Sequence, residues 1–238
     1  MDPKTYRQWE RIQETNWWFG ARRDLMVYFI PRGADKKLRP GILDVGCGSG
    51  GNLLLFSKIG KAVGIDNSET AVSVCKKKGL EAILGTATSL KFRANYFDVV
   101  VLADILEHLD NPQKAVAESF RVLKRGGTLI ATVPAYNWLY SYHDLANGHK
   151  KRYSKNELME LFGGRYIQRI SYLFSFALLP VIIMRSLNQI TAKKEVDDSS
   201  VPPVINGLLS SLSKIELDLI KKGVSLPMGT SIFCVVRK

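Results

Sequence analysis

The sequence has few residues of the kinds that form disulfides or clustered metal ligands. Its 238 residues include three cysteines and three histidines. Cys47, Cys75 and Cys234 lie far apart and have neither a zinc-type spacing nor the pattern of a disulfide framework. We therefore predict no metal site, and we expect reduced thiols, as is usual in the cytoplasm.

The sequence also lacks a leader-like N-terminus and an apolar run of membrane-spanning length. Residues 1–16 are polar and charged, so we expect no signal peptide. The apolar run at residues 172–184 has 13 residues, includes Pro180 and is too short to cross a bilayer. Arg169 and Arg185 flank it. The run is either a buried helix, which we prefer, or a helix that lies at a membrane interface.

Negative charge is scarce, because 34 lysines and arginines outnumber 22 acids and give a formal net charge of +12. This balance suits an anionic partner, either nucleic acid or a membrane surface. The basic residues are scattered in short groups, however, without a basic tail. We therefore interpret the charge as a solvated surface and expect no nucleic-acid partner. We predict a cytoplasmic protein, with peripheral contact with an anionic membrane left open.

The most informative stretch is residues 42–52, which read Ile-Leu-Asp-Val-Gly-Cys-Gly-Ser-Gly-Gly-Asn. The apolar residues around Asp44 predict a buried strand, and residues 53–56 can continue as a helix. Four glycines between them predict a tight turn that takes positive φ and admits a ligand at short range. The helix start would offer unpaired N–H groups to a polar ligand.

Two classes of nucleoside ligand fit this turn: dinucleotides such as NAD, and nucleosides that carry an ammonium group. Gly46, Gly48 and Gly51 satisfy the dinucleotide pattern G-x-G-x-x-G. Asp44 argues against NAD, because a carboxylate can accept hydrogen bonds from an ammonium group, which NAD lacks. Gly50 also opens the turn further than the dinucleotide pattern requires.

A second acid supports a nucleoside ligand of either class. Residues 63–66 predict the next strand, and Asp66 at its end lies about 20 residues past the turn, where an acid meets ribose hydroxyls. The alternative is that Asp66, Asn67 or Ser68 only caps the following helix. We predict Ser68 as the cap and Asp66 as the ribose ligand.

Three segments together resemble class I S-adenosylmethionine (SAM)-dependent methyltransferases of the type that modifies ubiquinone and phospholipids. They are Asp44–Gly50, the strand after Asp98 with Leu106-Glu107-His108-Leu109 behind it, and Leu123-Lys124-Arg125-Gly126-Gly127. The resemblance covers about residues 40–135. It implies SAM as the methyl donor and S-adenosylhomocysteine (SAH) as the product.

The resemblance also implies a set of cofactor-binding residues. Family members often have an acid after the third strand that holds the adenine amine, and Thr86 stands at that position here. Thr86 can still accept a hydrogen bond. The predicted set is Asp44, Gly46, Cys47, Gly48, Gly50, Asp66, Asn67, Thr86, Ala87 and Asp104, with Trp17, Arg22 and Arg23 from the N-terminal segment.

The aromatic N-terminal segment has two interpretations of equal standing. By analogy with this family, residues 1–30 form lid helices over the cofactor, and Arg22 or Arg23 holds the cofactor carboxylate through a bidentate fork. Alternatively, the segment is a helix pair whose aromatic residues belong to the core.

Alternating strand and helix patterns with short loops predict a single α/β domain over residues 1–238, with a Rossmann-like, doubly wound sheet. The resemblance implies seven mostly parallel strands that end in an antiparallel C-terminal hairpin. We assign residues 172–222 to a helical insertion between the last two strands, and we expect Gly126-Gly127 to end the third crossover helix. Strands are predicted near 41–46, 61–66, 81–85, 97–103, 127–133, 166–172 and 231–237, and helices near 51–59, 68–78, 112–124 and 204–222.

Acceptor chemistry is assigned to the loops after the fourth and fifth strands, because open α/β sheets bind ligands at the carboxyl ends of their strands. His143 and His149 are predicted as catalytic, since imidazole suits proton removal near neutral pH, together with Asp104. His149 could instead cap the next helix, and His108 is interpreted as structural.

The predicted reaction moves a methyl group from SAM to an O, N or C nucleophile of a small-molecule or lipid-like acceptor. The sequence has neither the Asn-Pro-Pro-aromatic element of base- and glutamine-modifying relatives nor the Pro-Cys element of cytosine-C5 enzymes. Two alternatives remain open. One is an NAD-linked oxidoreductase on the same sheet, and the other is a non-catalytic SAM-binding or membrane-surface module.

Overall fold

One seven-stranded sheet, in the order β3-β2-β1-β4-β5-β7-β6, runs through the described part of the chain. The computed structural model describes residue 12 and residues 15–31, 39–190 and 201–238, without the side chains of residues 187–190. Strands β1 to β5 pair in parallel, and β7 is antiparallel to both of its neighbours, β5 and β6. The strands are β1 (Gly41–Val45), β2 (Lys61–Asp66), β3 (Ala82–Leu84), β4 (Phe97–Ala103), β5 (Leu123–Pro134), β6 (Tyr166–Leu173) and β7 (Ser231–Arg237).

Helices lie on both faces of this sheet. Alternate residues of β4 belong to different apolar clusters, because Val99 and Val101 pack on one face and Val100 and Leu102 on the other. Two 3₁₀ turns occupy Leu106–His108 and Asn137–Leu139. The helices are α1 (Trp17–Phe29), α2 (Gly51–Ile59), α3 (Glu69–Lys77), α4 (Pro112–Val122), α5 (Tyr142–Ala146), α6 (Lys155–Leu161), α7 (Ser175–Ile190) and α8 (Pro203–Lys221).

The central strands are apolar in sequence, as a parallel sheet covered on both faces requires. β4 contributes the buried run 99–102, and β1 pairs with it in the register Ile42↔Val99 to Asp44↔Val101. Asp44 is therefore a carboxylate in a buried part of the sheet, next to its carboxyl edge.

The predicted fold class is confirmed, including the C-terminal hairpin of β6 and β7 with helices α7 and α8 between its strands. One predicted boundary is wrong. The helix expected over 112–124 ends at Val122, because Leu123 pairs with Phe97 and begins β5. Gly126 and Gly127 thus lie inside the β5 segment and do not end the helix.

Helices α1, α7 and α8 form an assembly that we call the cap. The backbone N–H of Trp17 donates to Asn206 Oδ1 at 2.9 Å, which joins α1 to α8. The Trp17 ring contacts the rings of Phe174 and Phe176, with centroids 5.0 and 5.5 Å away, which joins α1 to the start of α7. The predicted lid and the predicted insertion are therefore in contact. Of the predicted lid, residues 1–11 and 13–14 lie outside the described residues.

Helix α7 is buried on one side only. Leu178 is 8% exposed, whereas Leu179 and Ile183 are 64% and 52% exposed. The preferred interpretation of 172–184 as a buried helix is therefore wrong for the face that carries Leu179 and Ile183, and its first two residues belong to β6. Among the described residues, each helix is too short or too polar to cross a bilayer.

Candidate active site

The candidate site lies where the strand order reverses, between β1 and β4. The connections after these two strands run to opposite sides of the sheet, which leaves a crevice at their carboxyl ends. Gly46 follows β1, and Asp104 follows β4. A Cβ added to Gly46 would lie 2.8 Å from Ile105 Cδ1, so the glycine turn and the segment after β4 are in direct contact.

The glycine turn has the backbone conformation that its sequence predicts. Gly46, Gly48 and Gly50 have φ values of 77°, 51° and 85°. A Cβ at Gly50 would lie 2.7 Å from Leu80 Cδ1, whereas a Cβ at Gly48 would meet nothing within 4 Å. Gly50 is also the N-cap of α2 and provides no side-chain cap, so the first amides of α2 are available to a polar ligand.

Asp44 is a buried acid with unusual surroundings. It is 1% exposed, and neither carboxylate oxygen has a hydrogen-bonding partner within the described part of the chain. Burial, with a further contribution from the charge of Asp66, raises the pKa of Asp44 to about 7. A buried carboxylate is costly unless a cation pairs with it. The ammonium group of an amino-acid ligand would supply that cation.

Asp66 connects the end of β2 to the glycine turn. Its carboxylate accepts hydrogen bonds from the N–H groups of Gly48 at 2.8 Å and Ser68 at 2.9 Å. The Ser68 hydroxyl accepts from the N–H of Ala71 at 3.3 Å, which confirms Ser68 as the cap of α3. Asp66 therefore sits at the rim of the turn, where the sequence predicts a ribose ligand.

The other predicted cofactor residues differ in the direction of their side chains. Cys47 is buried, and a Cβ on Gly64 would lie 2.6 Å from its Sγ, so Cys47 packs into the core and offers only its backbone to a ligand. Asn67 and Thr86 are exposed after β2 and β3, and Ala87 is buried beside Thr86. Contact of these three residues with an adenosine group stays a prediction.

A cavity of about 390 Å³ lies between the cap and the carboxyl ends of β4 and β5. Trp17 and Arg22 of α1, Asp104 after β4, and Val181 of α7 are among the residues that line it. Because Asp104 is followed by Ile105, which touches Gly46, the cavity adjoins the glycine turn. The predicted cofactor turn and the predicted acceptor residues thus meet at one edge of the sheet.

Asp104 has a strained backbone at the junction of the turn and the cavity. Its φ is 51°, a conformation that aspartate tolerates better than most residues do. Its carboxylate forms an ion pair with Arg22 and accepts a hydrogen bond from the Thr132 hydroxyl at 3.2 Å. Asp104 is thus fixed in the wall of the cavity.

The structure distinguishes the two candidate arginines of the lid. Arg22 is buried, lines the cavity and lies over the Trp18 ring, with Cζ 3.5 Å from its centroid. Burial lowers the pKa of Arg22 to about 9, although the charge of Glu107 opposes this shift. Arg23 donates to the carbonyl oxygen of Phe19 at 3.3 Å and is absent from the described lining of the cavity.

Asp144 is the centre of a polar cluster in the loop after β5, to which the sequence assigned no catalytic or cofactor role. Its buried carboxylate accepts from Arg152 Nε at 2.8 Å and Arg185 Nη1 at 3.2 Å, and His149 Nδ1 lies 2.9 Å away. Burial acts to raise the pKa of Asp144, but the hydrogen bonds from His149 and Arg152 outweigh it and hold the pKa well below its usual range. The spacing Ser141-x-x-Asp144 is that of a capping box, which is present at the start of α5. This pattern could have located Asp144 in the sequence.

All three histidines line the cavity. The 3₁₀ turn after β4 brings the His108 ring to within 4.8 Å of the His149 ring, and the interpretation of His108 as structural stays a prediction. The alternative in which His149 caps the next helix is wrong, since Ser154 caps α6. Burial lowers the pKa of His108, although its Nδ1 lies 3.2 Å from the carbonyl oxygen of Gly148. Catalytic roles for His143 and His149 stay predictions.

Glu107 is a second residue that the sequence did not predict. It is fully buried, and among the described residues neither of its carboxylate oxygens has a hydrogen-bonding partner. Burial raises the pKa of Glu107 to about 8. Glu107, His108 and His149 place one possible ligand atom each within 4.8 Å of the others. The expectation that the chain has no cluster of metal-ligand residues is therefore corrected, because folding joins positions that are 41 residues apart.

Comparisons with known proteins agree with this geometry. Residues 43–131 match the family model described as a methyltransferase domain. The ubiquinone biosynthesis O-methyltransferase of Shewanella sp. (strain ANA-3) is 29% identical over 147 residues, with 53% of this chain and 60% of that protein covered. The tRNA (carboxymethyluridine(34)-5-O)-methyltransferase of Arabidopsis thaliana is 35% identical over 95 residues, with 39% and 23% covered.

A solved structure is similar over nearly the whole chain. It is a SAM-dependent methyltransferase of Thermotoga maritima, described as a possible histamine N-methyltransferase, with a TM-score of 0.63 and 16% identity over 99% of this chain and 95% of that chain. The resemblance stated from the motifs is confirmed: the fold is that of class I SAM-dependent methyltransferases, for which SAM is the cofactor. The chain spans less than two thirds of the length of the curated relatives it matches.

The residues present fit this cofactor. The unpaired buried carboxylate of Asp44 suits the amino group of SAM, the open space at Gly48 admits its amino-acid part, and Asp66 suits its ribose. SAM would supply an electrophilic methyl group.

Proposed function

We propose that this chain is a methyltransferase that uses SAM to methylate a small-molecule or lipid-like acceptor held in the cavity. One observation carries the proposal: Asp44, the glycine turn and Asp66 lie at the switch point of the sheet, and the turn touches the segment that lines an acceptor-sized cavity. Methyl transfer needs the nucleophile and the methyl group to be aligned at short range. A cavity that adjoins the cofactor turn supplies that alignment.

Different residues of the chain serve cofactor binding, the cavity wall and proton transfer. Asp44 would hold the amino group of the cofactor and Asp66 its ribose, and the ion pair between Arg22 and Asp104 lines the cavity beside the turn. Trp17 lines the cavity and packs against Phe176 of the cap. His143 and His149 lie where a proton acceptor would be needed for an oxygen or nitrogen nucleophile.

Helix α7 supports a lipid-like or otherwise amphipathic acceptor. Its Ala177 and Val181 line the cavity, while Leu179 and Ile183 on its other side are exposed. An apolar acceptor could therefore contact the outer face of α7 and reach the cavity along the same helix. For a lipid acceptor, the proposal places the protein in the cytoplasm at an anionic membrane surface, which its charge of +12 would favour.

The relative from Arabidopsis thaliana acts on tRNA, as its name states, and RNA is the second acceptor class to test. An NAD-linked oxidoreductase is a weaker alternative, because NAD carries no ammonium group for the buried carboxylate of Asp44. A non-catalytic SAM-binding module would bind the cofactor at the same turn without turnover.

Labelled SAM distinguishes these possibilities. The wild-type chain should transfer label to a component of a lipid or small-molecule extract, and Asp66→Ala should lose most of that transfer. Transfer to tRNA alone would overturn the acceptor class. Binding of SAH without transfer to any fraction would identify a binding module, and failure to bind SAH would overturn the proposal altogether.

A further inference from the structure

We propose that Glu107, His108 and His149 bind a divalent transition-metal cation in the wall of the cavity, and that this cation contacts a hydroxyl group of the acceptor. The first part rests on the geometry of the three side chains alone. The second part rests on the proposed methyl transfer and gives His149 the role of metal ligand in place of proton acceptor.

The three side chains are brought together by a firmly connected pair of loops. Glu107 and His108 end the 3₁₀ turn after β4, and His149 belongs to the loop after α5. The N–H of Lys150 donates to the carbonyl oxygen of Glu107 at 2.7 Å, which joins the two loops. The candidate ligand atoms lie within 4.8 Å of one another, so small side-chain adjustments would bring all of them to bonding distance of one ion.

Both imidazole rings are oriented as metal ligands usually are. His149 Nδ1 lies 2.9 Å from the buried carboxylate of Asp144, and His108 Nδ1 lies 3.2 Å from the carbonyl oxygen of Gly148. A hydrogen bond donated from Nδ1 to each acceptor leaves Nε2 without a proton and able to bind a metal. The carboxylate–histidine pair of Asp144 and His149 is the arrangement that fixes ring orientation in many metal sites.

Glu107 is the independent observation that points to a cation. Its carboxylate is fully buried, and the described residues provide no hydrogen-bond donor to either oxygen. The nearby arginines form their hydrogen bonds with other acids, Arg22 with Asp104 and Arg152 with Asp144, although their charges still act to lower the pKa of Glu107. Buried charges of this kind are normally paired or coordinate metals.

The donor set indicates the class of cation. Two imidazole nitrogens and one carboxylate oxygen suit Zn²⁺, Fe²⁺, Co²⁺ or Mn²⁺ and leave coordination positions for other ligands. All three residues line the cavity, so an acceptor oxygen could take such a position. A cation in contact with a hydroxyl group lowers its pKa.

Methyl transfer to this hydroxyl group conserves atoms and electrons. The acceptor hydroxyl releases its proton to solvent, and the electron pair left on oxygen forms the new bond to the methyl carbon. The pair of the broken carbon–sulfur bond stays on sulfur, which gives SAH.

Cobalt titration of untagged, chelator-treated protein tests the site directly. We expect one Co²⁺ per chain with visible ligand-field absorption, displaced by Zn²⁺. His108→Ala, His149→Ala and Glu107→Gln should each lower the affinity by more than about tenfold, since even outer-shell changes cost that much. His143→Ala is the matched control and should bind Co²⁺ as the wild type does, because the chain has only three histidines and His143 is outside the cluster.

These measurements distinguish the three-residue metal site from its absence. No saturable Co²⁺ signal in the wild type, or an equal loss in His143→Ala, would overturn the three-residue site. Melting curves without metal show which variants are folded, and Glu107→Gln keeps the size of the side chain. SAH calorimetry on the same samples separates the two proposals, because chelation should leave SAH affinity within about twofold. Metal binding without SAH binding would leave this site standing and overturn the proposed methyl transfer.

Discussion

At the scale of single residues, four acids at the carboxyl edge of the sheet have four different surroundings. Asp144 accepts from two arginines and faces a histidine, and Asp104 pairs with Arg22. Asp44 and Glu107 are buried without a hydrogen-bonding partner among the described residues. Burial alone cannot stabilise an unpaired carboxylate, so the last two mark the positions where ligands of opposite charge would bind.

The pKa of Asp44 predicts a pH dependence of cofactor binding. The raised pKa of about 7 means that Asp44 holds a proton below this pH and must lose it to pair with an ammonium group. The affinity for SAH should therefore rise by up to about tenfold per pH unit from pH ~5.5 to pH ~7 and then level off. Calorimetry across this range measures it, and 5′-methylthioadenosine, which lacks the amino-acid part, should show no such rise.

The same residue predicts an effect on stability without ligand. Because its folded-state pKa is raised above the usual value of 3.8, Asp44 destabilises the free chain progressively from about pH 4 to pH 7, and the cost is constant above that. Asp44→Asn should remove this cost and melt at a higher temperature than the wild type at pH ~8. A lower melting temperature of Asp44→Asn at that pH would contradict the assignment of an unpaired carboxylate.

Some of these residues could be predicted from the sequence and others could not. Asp44 and Asp66 stand at fixed offsets from a glycine turn, so strand geometry alone places them at the site. Glu107 acquires its surroundings from contacts between the loops after β4 and β5, and Asp144 from His149, Arg152 and Arg185, and none of these contacts follows from sequence spacing alone. The contact between the His108 and His149 rings could not be predicted, since His149 comes from a distant part of the chain.

At the scale of elements, the cap determines access to the cavity. Helix α1 is held by α8 through the bond from Trp17 to Asn206 and by α7 through aromatic contacts. Leu25 and Met26 on another part of α1 belong to the core. The core interpretation of the N-terminal segment therefore applies to part of α1, and its role as a lid over the cofactor stays a prediction.

Arg22 and Arg23 form a matched pair for testing the lid. Arg22→Ala should weaken SAM binding by about 1.5–3 kcal/mol, the scale of a lost hydrogen bond to a charged group, and should affect 5′-methylthioadenosine less. Arg23→Ala should leave both affinities nearly unchanged, because Arg23 lies outside the described lining of the cavity. Competition binding measures both ligands. Equal losses for the two ligands in folded Arg22→Ala would rule out a carboxylate clamp.

Neighbouring leucines in α7 form a second matched pair. Leu179→Asp and Ile183→Asp should abolish co-sedimentation with anionic vesicles at low salt and leave the melting temperature nearly unchanged, because both residues are exposed. Leu178→Asp should instead lower the melting temperature by several degrees, since it buries a charge. A wild-type chain that stays in solution with vesicles at low salt would show that the exposed face does not bind membranes.

Element types were more predictable than element ends. Strands and crossover helices followed from apolar periodicity and turn residues, and all seven predicted strands are present in the described chain. The end of α4 was wrong because the pairing of Leu123 with Phe97 competes with the helix, and glycine positions alone cannot show this. The exposed face of α7 was missed because an apolar run does not reveal how much of it the fold can cover.

At the scale of the whole molecule, sheet topology explains why the predicted residues meet. The order β3-β2-β1-β4-β5 places the ends of β1, β2 and β4 side by side, so Asp44, Asp66 and Asp104 converge although they span 61 positions of sequence. The insertion between β6 and β7 supplies α7 and α8, which complete the cap with α1. The order in which the strands and helices are connected therefore brings the cofactor turn, the cavity and the cap together.

A calorimetric titration with SAH tests most directly whether this edge of the sheet is a SAM site. The wild-type chain should bind one SAH, and NAD should give no saturable heat. Asp66→Ala should weaken SAH binding by about 1–3 kcal/mol, or roughly 5- to 150-fold, while Asp218→Ala, which removes an exposed acid of α8, should not. Unchanged affinity in Asp66→Ala, or binding of NAD in place of SAH, would contradict the assignment.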